Sequence, residues 1–207
     1  MIKKLYSLFK IGRSLAKADA LNYFEEIYNP PLFVTITFKI LGFRINSKEL
    51  DKSIPANEKF VNALKELGPT FIKLGQFLGT RPDIVGDTLA TDLQKLQDRM
   101  PAFSLAQAKE SLRSELGEET YGKISNISEP IAAASIAQVH FASLNNNEKQ
   151  VAIKILRPNI EKIFNQELEA LMLFAYLVEM FLPKTRRLKL VEVIHLLKEI
   201  TSIEMDL

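Results

Sequence analysis

The sequence predicts an α+β fold in which a helical stretch leads into an antiparallel β-hairpin and helices follow it. Three observations carry this. Apolar residues recur at helical spacing from Asp51 to about Gly117, the period shortens to two between Ile136 and Leu156, and two long helical segments follow Arg157–Pro158.

Taken in order, Gly68–Pro69 sets a proline at a helix start, where its missing N–H costs nothing. The helix that follows, TFIKLGQFLG, puts Phe71, Leu74 and Leu78 on one face and Lys73, Gln76 and Thr80 on another, and Arg81–Pro82 ends it. Ile84 to Gln97 reads as a second helix with Leu89, Leu93 and Leu96 as its stripe. Ser104 is the N-cap expected for SLAQAKESLRSEL, and Gly117 its stop. Strands are expected over Ile136 to Ser143 and Gln150 to Leu156, joined by the polar tip Leu144–Lys149. Helices then run from about Asn159 to Leu182 and from Leu188 onward, separated at Pro183.

Composition narrows the function. Lys and Arg number 27 against 25 Asp and Glu, a net charge of +2, so no nucleic-acid partner is expected. There is no cysteine, which excludes disulfides, thiolate zinc sites and thiol nucleophiles. His140 and His195 are too few for a histidine-rich metal site and read as structural. No run reaches the ~18 apolar residues of a membrane span. Pro31 to Phe43 carries Lys39 and Leu171 to Leu182 carries Glu179, and each reads as buried helix or strand. Residues 1–48 form a basic amphipathic segment: Leu5, Leu8, Phe9, Gly12, Leu15 and Ala16 recur at helical spacing, with Lys3, Lys4, Lys10, Arg13 and Lys17 elsewhere. Such a helix lies on an anionic membrane surface or docks on its own domain.

The chemistry sits in PIAAASIAQVHFASLNNNEKQVAIKILRP, Pro130 to Pro158. VAIK is the strand signature by which protein kinases place a phosphate-pairing lysine, preceded by GxGxxGxV. That loop pattern overlies Ala132, Ala133, Ala134, Ser135, Ile136, Ala137, Gln138 and Val139, so all three glycine positions, 132, 134 and 137, hold alanine and the valine is kept. On the second strand Ala152 and Lys154 share a face, whereas Val151, Ile153 and Ile155 point the other way, into the core. A small residue beside a lysine leaves room for an adenine ring with the ammonium aimed at phosphates, and a lysine on the buried side needs an anionic partner. The plainer reading is an edge hairpin whose Lys154 faces solvent. Alanine lacks the φ > 0 freedom of glycine, so a stiffer turn is expected, one that holds nucleotide while hampering transfer to a protein hydroxyl. Amides near Ser135 remain available to cradle an anion.

With these motifs the chain resembles the UbiB family of atypical kinase-like proteins linked to ubiquinone (coenzyme Q) biosynthesis. GPTFIKLGQFLGTRPDIV is similar to the family's KxGQ motif, with Lys73 and Gln76 in the named positions; PIAAASIAQVH with VAIKILRP is similar to its alanine-rich loop and lysine strand; in IEMDL, Glu204 and Asp206 match its ExD motif. KLQDRMPAFS, Lys95 to Ser104, has the same look. The resemblance implies a partial kinase-like N-lobe over 129–207, preceded by a helical extension over 49–128 that carries KxGQ. It implies ATP or ADP with Mg²⁺ as cofactor, with Ala132, Ala133, Ala134, Ser135, Ala137, Val139, Ala152 and Lys154 at the nucleotide and Lys73, Gln76, Glu204 and Asp206 as the catalytic set. Implied partners are adenine nucleotide, the membrane surface, and quinone-biosynthesis proteins or lipid precursors. The implied location is peripheral, on the cytoplasmic side of the inner membrane or the matrix side of a mitochondrion.

In the last helix Leu190, Val193, Ile194, Leu197, Ile200, Thr201 and Glu204 form one stripe, so Glu204 is expected to meet a cation such as Lys154 or Lys73. The alternatives are a frayed helix end or, as in a plain kinase, Glu167 or Glu169 as the partner of Lys154. These 207 residues contain no HxDxxxxN-like or DFG-like segment. The expectation is therefore a fragment, a split or degraded gene product, or a lobe completed by a separate C-lobe chain, with negligible ATP turnover alone. Two function classes follow: a UbiB-type kinase or ATPase supporting quinone synthesis, and a non-catalytic module that docks to membrane or biosynthetic partners. A choline- or aminoglycoside-kinase-like activity is the weaker third, because the KxGQ helix speaks against it.

Overall fold

The computed structural model describes residues 2–17, 53–96, 100–144, 149–181 and 183–207. The run Pro31 to Phe43 and the hairpin tip at 145–148 lie outside them. In chain order the described elements are α1 (Ile2–Lys17), α2 (Ala56–Leu67), α3 (Pro69–Gly79), α4 (Pro82–Val85), α5 (Asp87–Leu93), α6 (Leu105–Tyr121), β1 (Ile124–Ser125), β2 (Pro130–Ala133), β3 (Ala137–Leu144), β4 (Lys149–Leu156), α7 (Ile160–Phe181), a 3₁₀ turn (Pro183–Leu188) and α8 (Leu190–Met205). The fold is α+β, with helices on either side of a small antiparallel sheet in the sequence. Among the described residues no helix is long and apolar enough to cross a membrane. Two compact units are formed: Met1–Gln97 with Asn165–Ile200, and Asp98–Phe164 with Thr201–Leu207.

The described residues of the first unit are helical. Phe60, Val61 and Leu64 of α2, Phe71 and Ile72 of α3, and Leu89, Leu93 and Leu96 around α5 are among its buried apolar residues. Gly68, at φ 109°, links α2 to α3 in a conformation that a side chain would strain. The helix expected over 84–97 is broken at Gly86, at φ 81°, into α4 and α5. The packed face of α3 is also rotated from the expected one. Phe71, Ile72, Gly75 and Gly79 are buried, whereas Leu74 and Leu78 are only half-buried. The reason is close helix approach: a Cβ on Gly75 would overlap Leu96 Cδ1 and sit 3.3 Å from Leu64 Cδ1, and one on Gly79 would sit 3.1 Å from Gln94 N.

α7 buries Leu168, Ala170, Leu171 and Ala175, but Phe174, Tyr176, Leu177 and Met180 are exposed. Leu171 to Met180 is therefore amphipathic, and the expectation of a buried segment holds for one face only. On the buried side Glu167 Oε2 and Thr70 Oγ1 are sealed from solvent without a well-formed hydrogen bond. Burial pushes the Glu167 carboxyl above its ordinary range, and the nearby Thr70 hydroxyl and Lys10 ammonium offset this only in part.

The second unit is a sheet on a helix. Ser104 caps α6 in a capping box, its Oγ accepting from Gln107 N at 3.3 Å while Gln107 Oε1 accepts from Ser104 N at 3.1 Å. Gly117 interrupts the helix at φ 73°, where the stop was expected, and a further turn reaches Tyr121. β3 pairs along its whole length with β4, and β1 and β2 take successive parts of its other edge. Ile153 and Ile155 pack with Ala108 and Leu112 of α6, flanked by Phe103, Tyr121 and Ile127. α8 is shared between the units: Val193, Ile194 and Leu197 are buried and Ile200 is exposed and off the stripe in the part that belongs to the first unit, and Thr201 and Met205 are buried in the part that belongs to the second.

Two outcomes follow from the first unit. Gly75→Val places two methyl groups where Leu96, Leu64 and Leu93 already pack, and should lower stability by about 2 kcal/mol; an unchanged denaturation midpoint would contradict the close approach of α3. Glu167, held above its ordinary range, keeps its proton in the fold where the unfolded chain has lost it, so stability declines as pH rises through that window. Glu167→Gln should remove this decline in midpoints measured from about pH 4 to pH 7. A variant that tracks the parent across that range would show Glu167 to be solvated.

Candidate functional site

The β3–β4 register sorts the candidate residues by face. Val139 lies opposite Lys154 and Phe141 opposite Ala152, and Ala132 of β2 lies opposite Val139. Directly opposed residues of an antiparallel pair share a face, so Ala132, Val139, Ala152 and Lys154 lie together with Phe141. This face is open: Ala132, Ala152 and Lys154 are exposed, Val139 is half-buried, and Phe141 is 52% exposed. Ala137, on the same side at the turn, is buried.

The alanine segment is partly strand. Ala132 and Ala133 belong to β2, and Ala134 N donates to Ala137 O at 2.8 Å, closing a turn with Ser135 and Ile136 at its tip. Both tip side chains are buried. Among the described residues other than glycine, only Asn126, Asn159 and Lys189 have positive φ. The turn therefore never enters the region that favours glycine, and alanine stands in it without strain. Its Ala134 amide is engaged in the turn, which leaves a smaller anion cradle around Ser135 than the motif alone suggests.

Polar residues that the motif reading passed over buttress the covered face. Gln138 and His140 are 1% and 0% exposed. Gln138 accepts from Phe103 N at 3.0 Å and donates to Phe103 O at 3.2 Å. Its Nε2 also lies 2.8 Å from His140 Nε2, and His140 Nδ1 lies 2.7 Å from the Ser128 carbonyl oxygen. A carbonyl only accepts, so Nδ1 carries the proton and Nε2 accepts from Gln138. His140 is a satisfied structural histidine. The signal in the sequence was parity: Gln138 and His140 share a face with buried Ala142, and buried polar groups require partners.

Lys154 does not project inward to a buried carboxylate. It is exposed, and its Nζ donates to the main-chain oxygen of Glu204 at 3.4 Å. The acceptor is one of the last carbonyls of α8, which have no helical partner and carry the negative end of the helix dipole. The helix end is not frayed, because Thr201 is 0% exposed and Met205 is buried. Glu204 is half-buried and Asp206 is exposed, with Asp206 N closing the last turn on Ser202 O at 3.2 Å. Lys73 and Gln76 are half-buried on α3, and Glu167 and Glu169 lie on α7, all in the first unit. The second unit thus unites the alanine turn, Ala152, Lys154 and Glu204. Among the described residues no three His, Asp or Glu side chains come together to hold a metal ion.

A model of the ABC1 atypical kinase-like domain matches residues 95–207. The chain is 39% identical over 169 residues to a probable protein kinase UbiB of Shewanella baltica, covering 80% of this chain and 30% of that one. It is 42% identical over 194 residues to the one of Shewanella denitrificans, covering 93% and 35%. With the one of Marinobacter nauticus, identity is 44% over 133 residues, covering 64% and 24%. The chain thus spans about a third, at most 35%, of the length of these curated relatives. The lysine strand and its alanine turn lie within the matched domain, and the chain belongs to the ABC1 family of atypical kinase-like proteins.

Proposed function

We propose that this chain forms the nucleotide-facing part of a UbiB-type atypical kinase or ATPase that supports ubiquinone biosynthesis at a membrane. The observation that carries the reading is the open sheet face, where small Ala132 and Ala152 flank Val139 and Lys154 beside the α8 terminus. Two alanines and a valine leave a flat apolar patch for an adenine ring, and Lys154 supplies a cation to the inner phosphates. Lys154 would exchange its long bond to the Glu204 carbonyl for a phosphate oxygen. The residues fit the base and phosphates of ATP or ADP. Mg²⁺ is held mainly by phosphate oxygens, water and one or two carboxylates, which Glu204 and Asp206 would supply in this reading. In this reading Lys73, Gln76, Glu204 and Asp206 act with the nucleotide, and quinone precursors, biosynthetic proteins and a C-lobe are the partners.

A second reading, a docking module without catalysis, is favoured by exposed apolar side chains in two places. Phe174, Tyr176, Leu177 and Met180 expose a cluster of large apolar side chains on α7, and Tyr6 and Phe9 are exposed on basic α1. Both features suit a membrane surface or a partner protein.

Titration of the chain with a fluorescent ADP separates the two. Saturable binding is expected, weakened about tenfold or more by Lys154→Ala through loss of a charge-assisted contact, and blocked by Ala152→Leu, which fills the base patch. Binding unchanged in both variants would place the nucleotide elsewhere and remove the support for this reading.

A further inference from the structure

We infer that Arg157 is the positioning residue of the nucleotide face, its guanidinium holding the alanine turn in one conformation from behind. The inference deepens the nucleotide-binding reading and rests on it. Arg157 Nε and Nη2 both donate to the Ala134 carbonyl, at 3.0 and 2.8 Å, and Nη2 also reaches the Pro101 carbonyl at 2.9 Å. The Arg157 amide donates to Ile136 O at 2.9 Å, and the guanidinium lies 5.7 Å from the centre of the Phe103 ring. Phe103 is fastened in turn by the Gln138 side chain, and Met100 N donates to Ala133 O at 3.4 Å. The carbonyls of Ala133, Ala134 and Ile136 are therefore all held from the 100–103 segment or from Arg157.

A held carbonyl fixes its whole peptide plane, because the unit is rigid and trans. Turning the Ala134–Ser135 plane towards a ligand would break two charge-assisted bonds at once. The turn then meets phosphate as a fixed wall rather than as a loop that adapts to it. A planar fork is required to bridge the Ala134 and Pro101 carbonyls together, which a single ammonium does less well. Base binding, by contrast, depends on Ala132, Val139 and Ala152, whereas the Arg157 guanidinium donates to the Ala134 and Pro101 carbonyls. Arg157 should therefore tune affinity for the phosphates and leave affinity for the nucleoside alone.

Two measurements on the 207-residue chain test this. Hydrogen exchange without ligand should quicken in Arg157→Ala at residues 133–137 and 100–103, with α6 unchanged; unchanged exchange at the turn overturns the proposal. ADP affinity should fall about tenfold, the equivalent of one charge-assisted hydrogen bond, while adenosine affinity stays within about twofold. Arg157→Lys, which keeps a cation under the turn, should fall between, and it carries the same comparison if Arg157→Ala fails to fold. An equal loss for ADP and adenosine marks Arg157 as merely structural and overturns the proposal, as does no loss for either. A parent chain that binds neither ligand overturns the nucleotide reading and this inference with it, whereas a parent that binds ADP with unaffected variants overturns the inference alone.

Discussion

The rungs between β3 and β4 decide what this chain can do. Eight opposed pairs run from Ala137↔Leu156 to Leu144↔Lys149, and because strand side chains alternate, each pair is committed to one face. A slip by one residue would send Lys154 and Ala152 under α6 and bring Ile153 and Ile155 to the surface. Burial of Ile155 against Ala108 and Leu112 opposes that slip, and so does the polar chain through Gln138 and His140, which is satisfied only in this register. The covered face thereby specifies the open one. The lysine is available because its neighbours on either side along the strand are not.

Replacing glycine by alanine in the turn is a physical trade rather than a defect. Glycine matters where backbone must adopt positive φ or let another group approach within a Cβ radius. Here the turn does neither: it closes through Ala134 and Ala137, buries Ser135 and Ile136, and keeps its carbonyls engaged. In the first unit the balance is reversed. Gly75 and Gly79 sit where α3 meets Leu64, Leu93 and the backbone at Gln94, so the glycine of the KxGQ segment is explained by helix packing, independently of any chemistry at Lys73 or Gln76.

What the sequence revealed follows the strength of its local signals. The hairpin was legible because two alternating, β-branched runs flank a polar tip, and the N-cap at Ser104 because a Gln stands three residues on. β1 and β2 were not: two and four residues long, the latter rich in alanine, they have no strand preference of their own and exist by pairing with β3. Counting only apolar residues misplaced the buried face of α3, since two glycines form its contact surface. The break at Gly86 was missed because one glycine within an apolar period is tolerated more often than not. At the site, parity put Ala152 and Lys154 on one side and Ile153 and Ile155 towards the core, as found, but periodicity could not say that Lys154 would stay exposed and meet a main-chain oxygen. That outcome is set by α6 and the last turn of α8, elements distant in sequence.

The account is tested most directly by resonance assignment of the chain and titration with ADP. Shifts should concentrate at Ala132, Val139, Phe141, Ala152 and Lys154, and leave Ala142, Ile153 and Ile155 nearly still. Perturbation spread equally over both faces of the sheet, or confined to helices away from it, would contradict the claim that the uncovered face is the nucleotide surface.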